Sequence, residues 1–270
     1  MMIYVLYVRK IRRFVMKRIF RNTTAMALML VMLLIPSIVL AGKEYVGDSS
    51  ERADTPYVTY QKAEITDIDI LYARALNGKH ETQSMLDDSK LALTSDSGAK
   101  VYMQTYSTNQ VLKREVTANG STVDTIAETV FAIVPATVTP GGNTSTSDET
   151  YDSSSRCVKL YSTVYYKKGS TAQADGAIMY KVTGGFTILD ENVTVTNKKY
   201  EYECNGIDID TDNNVTNQRA SGSMSSMSMS KSTGFTKYID TTAGHTIRYI
   251  ISCKVSRGGS SWNAELINGK

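Results

Sequence analysis

The stretch VTVTNKKYEYEC, residues 193–204, decides the fold class of this chain. Its tyrosines alternate with glutamates, which is typical of a β-strand with one face buried and the other in water. Further on, residues 245–257 and 262–267 flank Gly258-Gly259, and this order predicts a β-hairpin. We therefore expect antiparallel pairing in the C-terminal part of the chain.

Short strands are also predicted upstream of residues 193–204. They cover 101–107, 110–117, 122–134, 158–167, 177–183 and 186–189, and a strand with a soft apolar face is predicted within the Ser/Met stretch 222–231. The first three form a predicted meander with turns at Thr108-Asn109 and at 118–121, and Gly184-Gly185 is predicted to be a tight turn. Many short strands with few helical patterns predict an all-β fold, an antiparallel β-sandwich with immunoglobulin-like or jelly-roll-like layering over residues 57–270.

Residues 56–75 fit two patterns. A helical stripe that Asn77-Gly78 would close is formed by Ile65, Ile68, Tyr72, Ala75 and Leu76. Ile68, Ile70 and Tyr72 also alternate, as in a strand. Asn-Gly is a favourable hairpin turn as well. We prefer a strand that pairs across this turn with residues 79–86.

Residues 139–155, TPGGNTSTSDETYDSSS, form an exposed low-complexity loop by composition. The loop either separates two domains or links two sheets of one domain. One shared core is favoured, because the strands before the loop are few.

The N-terminal region has the three parts of an export signal. Lys17, Arg18 and Arg21 supply positive charge, residues 25–35 are apolar, and Ala41 ends a stretch of small and apolar residues. We predict a signal peptide over residues 1–41, with a true start at Met16, and a loose segment over 42–56. The alternative is an uncleaved anchor, for which this apolar run is at the lower length limit. Lys43 stands where a bacterial lipid-anchoring motif needs cysteine.

The formal charge of +3 comes from the signal region. Residues 1–41 contain seven basic residues and no acidic ones, so the remaining chain has 23 basic and 27 acidic residues, a charge of −4. This balance argues against a nucleic-acid partner, which requires a basic surface. No later apolar run is long enough to span a membrane stably.

Asp208, Asp210 and Asp212 form the sharpest local motif, a candidate calcium site in which alternating carboxylates converge. The motif departs from a calcium loop, because Asn213 stands where glycine is needed and Arg219 where a glutamate is needed. The alternative is a polar loop.

The chain has three cysteines, all after the signal. We predict that Cys204 pairs with Cys253 if a disulfide forms; the alternative is three unpaired, buried thiols. Their spacing matches no zinc site, and no catalytic residue or cofactor is predicted.

These features indicate a secreted, extracellular, non-enzymatic protein that binds an unknown extracellular or cell-surface partner. Strand faces rich in tyrosine are candidate contact surfaces: Tyr161, Tyr165, Tyr166, Tyr200 and Tyr202. Two alternatives are kept: a secreted antibacterial or membrane-active protein, and an extracellular hydrolase whose site forms only in three dimensions.

Cleavage after Ala41 can be tested by sequencing the N-terminus of the exported protein, which we expect to begin at Gly42. Ala41→Leu should retain the precursor, because the cleavage site requires a small residue. Ala53→Leu, beyond the site, should be processed normally. An exported protein that keeps residues 25–41 would contradict the prediction.

Overall fold

A computed structural model describes residues 55–136, 156–170 and 175–270. These residues form fourteen β-strands and one α-helix: β1 (Tyr57–Gln61), α1 (Ile68–Leu76), β2 (Lys90–Ser95), β3 (Lys100–Met103), β4 (Thr105–Val116), β5 (Thr122–Pro135), β6 (Arg156–Ser170), β7 (Asp175–Ile188), β8 (Val193–Ile207), β9 (Asn214–Val215), β10 (Arg219–Ser223), β11 (Ser228–Ser232), β12 (Ile239–Asp240), β13 (Thr246–Arg257) and β14 (Ser260–Gly269). The predicted signal, most of the loose segment and the predicted loop 139–155 lie outside the described residues. Within those residues, no helix combines the length and apolar character that a membrane crossing requires.

The strands form two seven-stranded antiparallel sheets. The first sheet has the order β1-β4-β5-β6-β7-β11, with β12 also on β7; the second has the order β10-β8-β13-β14-β2-β3, with β9 also on β8. The two sheets pack face to face, so the predicted all-β antiparallel sandwich is confirmed at this level.

One hydrophobic cluster fills the space between the sheets. Alternate residues of β5, including Ile126 and Val130, belong to this cluster together with Tyr249 and Ile251 of β13. Each fully buried side chain of this size contributes about 1.5–3 kcal/mol relative to an exposed one. The period-2 pattern that predicted the strands is therefore the pattern that fills the core.

Helix α1 covers part of the outer face of the first sheet. Leu71 and Ala75, one helical turn apart, pack on Phe131 of β5. Asp67 caps the helix by accepting hydrogen bonds from the main-chain N–H groups of Asp69 and Ile70 at 2.9 and 3.1 Å. The predicted strand pairing across Asn77-Gly78 is therefore wrong, and the helical alternative is the one that forms.

Two predicted turns are also wrong. β4 continues through Thr108 and Asn109, and β7 continues through Gly184 and Gly185. A Cβ atom at Gly184 would lie 2.8 Å from the Tyr249 hydroxyl oxygen, so this glycine serves close packing between the sheets.

The stretch 222–231 is not one strand. Residues 222–223 are the last two residues of β10 in the second sheet, and residues 228–231 belong to β11 in the first sheet. The chain crosses from one sheet to the other between them. The hairpin across Gly258-Gly259 forms as predicted, and both glycines have positive φ, 54° and 84°.

Gly184→Ala should destabilise the protein by about 1–3 kcal/mol, because the added methyl group overpacks the contact with Tyr249. Urea unfolding measures the change. Gly244→Ala is the control, since a Cβ there meets no atom within 4 Å. Equal stabilities of the two variants would contradict the packing role of Gly184.

A polar pocket beside the free edge of β4

The chain between α1 and β2 crosses the edge of β4. We call residues 79–89 the crossing segment. Thr108 Oγ1 donates to the carbonyl oxygen of Lys79 at 2.6 Å. Asn109 binds Thr82 from both sides, since its Oδ1 accepts from the Thr82 N–H at 3.1 Å and its Nδ2 donates to the Thr82 carbonyl at 2.8 Å. These two polar residues, which sequence reasoning placed in a turn, hold the crossing segment to the sheet.

Glu81 satisfies one main-chain N–H group on this edge of β4. Its carboxylate accepts hydrogen bonds from Lys62 Nζ, from Arg74 Nη2 at 2.9 Å and from the main-chain N–H of Val111 at 2.9 Å. Burial opposes ionisation of Glu81, but the Lys62 and Val111 hydrogen bonds outweigh it and hold the pKa of Glu81 below its usual range.

Glu128 lies deeper, between the two sheets, and has no solvent exposure. Its carboxyl group accepts hydrogen bonds from Ser84 Oγ and from the Tyr166 hydroxyl, the latter at 3.1 Å. Burial raises the pKa of Glu128, and the nearby carboxylate of Asp87 adds to this effect. A buried carboxyl group therefore fixes the position and hydroxyl direction of Ser84.

Asn268 connects the same region to the second sheet. Its Nδ2 donates to the carbonyl oxygens of Glu128 at 3.1 Å and Ser162 at 2.7 Å, across the interior of the sandwich. The region behind Ser84 is thus anchored to both sheets.

A cavity of about 340 Å³ opens between the crossing segment and β4. Hydroxyl groups and one carboxylate dominate its wall: Thr82, Ser84, Asp87, Ser89, Thr105 and Ser107. His80, Gln83 and Leu86 complete the lining. A concave site with several convergent polar groups and a neighbouring carboxyl group of shifted pKa is the usual starting point for a binding-site hypothesis.

The structure does not gather the three predicted calcium ligands. Asp208 is buried, and its carboxylate accepts from the Asp210 N–H at 3.1 Å, from Thr211 Oγ1 at 2.9 Å and from Lys237 Nζ at 2.9 Å. Lys237 lowers the pKa of Asp208. Asp210 and Asp212 are exposed, and in the described part of the chain no three His, Cys, Asp or Glu residues form a group able to hold a metal.

Cys204 and Cys253 are both buried and free, as is Cys157. Cys204 is paired with Ile247 on β13, six residues before Cys253. At about 3.3 Å per residue the two cysteines lie about 20 Å apart, beyond the roughly 7 Å limit between the Cα atoms of a disulfide. The structure therefore does not bring the predicted pair together, and burial raises the pKa of Cys204 to about 11 and that of Cys253 to about 12.

Most of the five candidate tyrosines are buried. Tyr165, Tyr166 and Tyr202 are 5%, 0% and 2% exposed, and only Tyr161 and Tyr200 of the five candidates are half-buried. The strand faces on which they lie therefore do not form an exposed tyrosine surface.

The chain matches no family model, and no curated protein or solved structure is significantly similar to it.

Sequence reasoning missed Ser84, Glu128 and the pocket. A signal was present in TVDTIAETVFAIV, where Glu128 is the only charged residue in the apolar half of a strand and alternates with Ile126 and Val130 on the buried face. A carboxylate at such a position requires hydrogen-bonding partners from elsewhere in the chain.

Glu128 should make stability depend on pH in a defined direction. Because its pKa is raised on folding, its contribution is complete below the ordinary glutamate pKa of about 4.3 and is lost as pH rises through the folded-state pKa. Glu128→Gln cannot ionise, so its free energy of unfolding should fall less than that of the unmodified protein between about pH 4 and 8.

Urea unfolding across this pH range measures the difference. Glu265→Gln, on the outer face of the second sheet, is the control and should keep the original slope. An unchanged slope in Glu128→Gln would contradict a raised pKa for Glu128.

Proposed function

We propose that this chain is a secreted, non-enzymatic protein that binds a small polar ligand or an extended polar segment of a partner outside the cell. The observation that carries the proposal is the pocket beside β4, whose wall groups are fixed by Glu128, Asn109 and Thr108. A site whose side chains are fixed before binding loses less conformational entropy when it is occupied. Export rests on the sequence of residues 1–41, and the immunoglobulin-like or jelly-roll-like layering stays a proposal within the sandwich class.

The geometry favours binding over hydrolysis. A glycoside hydrolase needs two carboxyl groups that both reach the substrate. Here Asp87 is exposed, whereas Glu128 is fully buried and separated from the pocket by Ser84. Within this pocket, a hydrolase would need Ser84 as its nucleophile and Glu128 as its base, and Ser84→Ala would abolish that reaction.

The membrane-active alternative depended on the Ser/Met stretch. Met224 is buried, and Met227 and Met229 pack against the core, so the apolar half of that pattern already has a place in the sandwich. This arrangement supplies no free apolar face on β10 or β11 for insertion into lipid.

Binding can be tested by NMR titration of the exported protein with millimolar panels of mono- and disaccharides, amino acids and short peptides. We expect at least one class to shift the amide signals of Ser84, Asp87 and Ser107 selectively. Gln83→Trp should weaken this response by placing a large ring in the wall of the pocket. Gln61→Trp, at the exposed last residue of β1, should not.

A panel that leaves the pocket signals unchanged would contradict the proposal. Turnover of ester or glycoside substrates that disappears in Ser84→Ala would favour the hydrolase alternative instead.

A further inference from the structure

The part of β4 beside the pocket has a free edge. β5 pairs with β4 along one side, from Thr105 to Val116. On the other side β1 pairs only with residues 113–116. No strand of the described residues pairs with the rest of this edge. A free edge presents main-chain N–H and C=O groups to any extended chain that comes alongside.

Two contacts show which residues of β4 point their main-chain groups toward this edge. Arg74 Nη2 donates to the carbonyl oxygen of Asn109 at 3.3 Å, and the Val111 N–H donates to Glu81. In an antiparallel ladder, alternate residues direct both groups away from the neighbouring strand. Ser107 and Thr105 therefore direct their N–H and C=O groups to the same edge as Asn109.

Only a short part of this edge stays open. Arg74 of α1 covers the edge at Asn109, and Glu81 of the crossing segment covers it at Val111. The crossing segment returns at Thr105, whose Oγ1 donates to the carbonyl oxygen of Ser89 at 3.2 Å. The interval between Thr105 and Asn109 is about 13 Å, at about 3.3 Å per residue. Because both ends of the interval are occupied, a ligand chain enters it with one terminus and does not run through.

The charge of the pocket selects which terminus. Asp87 is exposed in the pocket wall, and the pocket lining contains no Lys or Arg. A negative site of this kind attracts a cation and disfavours a carboxylate.

We infer that the pocket binds the amino-terminal end of an extended peptide, whose first peptide group pairs with the main chain of Ser107 and whose α-ammonium group pairs with Asp87. This inference rests on the proposed function of the pocket and names its ligand class. Main-chain pairing supplies affinity that is independent of the ligand sequence, as in other cases where a peptide adds to a sheet edge. The ammonium contact sets the direction of the bound chain.

Calorimetric titration of the exported protein with trialanine, N-acetyl-trialanine and trialanine amide tests the inference. Trialanine and its amide should bind with similar affinity, because the carboxyl end lies outside the pocket. N-acetylation should weaken binding by about twofold to fivefold, which is the effect of losing one exposed ion pair.

Asp87→Asn should weaken trialanine binding by a similar factor and make N-acetylation of little further consequence. Asp88→Asn is the matched control, since this exposed neighbour does not line the pocket. Ser107→Pro should abolish binding while it leaves the β4–β5 ladder intact, because the proline removes only the edge N–H.

Equal binding of acetylated and free peptide, or unchanged binding in Asp87→Asn, would overturn the inference even if Ser107→Pro fails to fold. Binding of saccharides but not peptides would overturn it while the proposed function stands. An absence of any response at the pocket would remove both.

Discussion

The free edge of β4 is the constraint on which this part of the molecule depends. A strand edge inside a protein must have its polar groups satisfied or left in water, since an unpaired buried group costs about 1–3 kcal/mol. Beyond the four residues of β4 that pair with β1, the described residues satisfy this edge with side chains and not with another strand: Glu81 accepts from Val111, and Arg74 donates to Asn109. Side chains are shorter and more widely spaced than a strand, and the interval they leave at Ser107 is the pocket.

Glu128 extends the same constraint into the core. Burying a carboxyl group costs free energy unless the group is hydrogen-bonded. Ser84 and Tyr166 supply the donors that offset this cost for Glu128. The crossing segment supplies one of those donors. The position of residues 84–86 is therefore set from two directions, by the strand edge and by the buried acid, which explains why a segment without regular structure has a defined path.

The sequence predicts the features that depend on near neighbours. The hairpin of β13 and β14 follows from Gly258-Gly259, and the two-sheet sandwich follows from alternation in strands such as β8. Features decided by distant residues are missed. Residues 68–76 form helix α1 and not a strand because Leu71 and Ala75 pack against Phe131, about 60 residues later. Gly184-Gly185 is a turn by composition, but Tyr249 requires a glycine there in a continuous strand. The pocket is missed for the same reason, because it is formed jointly by β4 and the crossing segment, which are separate in the sequence.

The position of β14 has a consequence for how the chain reaches its folded state. β14 lies inside the second sheet, between β13 and β2, and Leu266 pairs there with Leu91. β2 and β3 therefore cannot join that sheet until β14, about 170 residues later in the chain, is available to pair with β2. Contacts of such long sequence separation slow folding, because the loop between the partners must close first. A chain that emerges from its N-terminus can pair β1 and β4 to β7 of the first sheet early. It can complete the sandwich only once β14 is present.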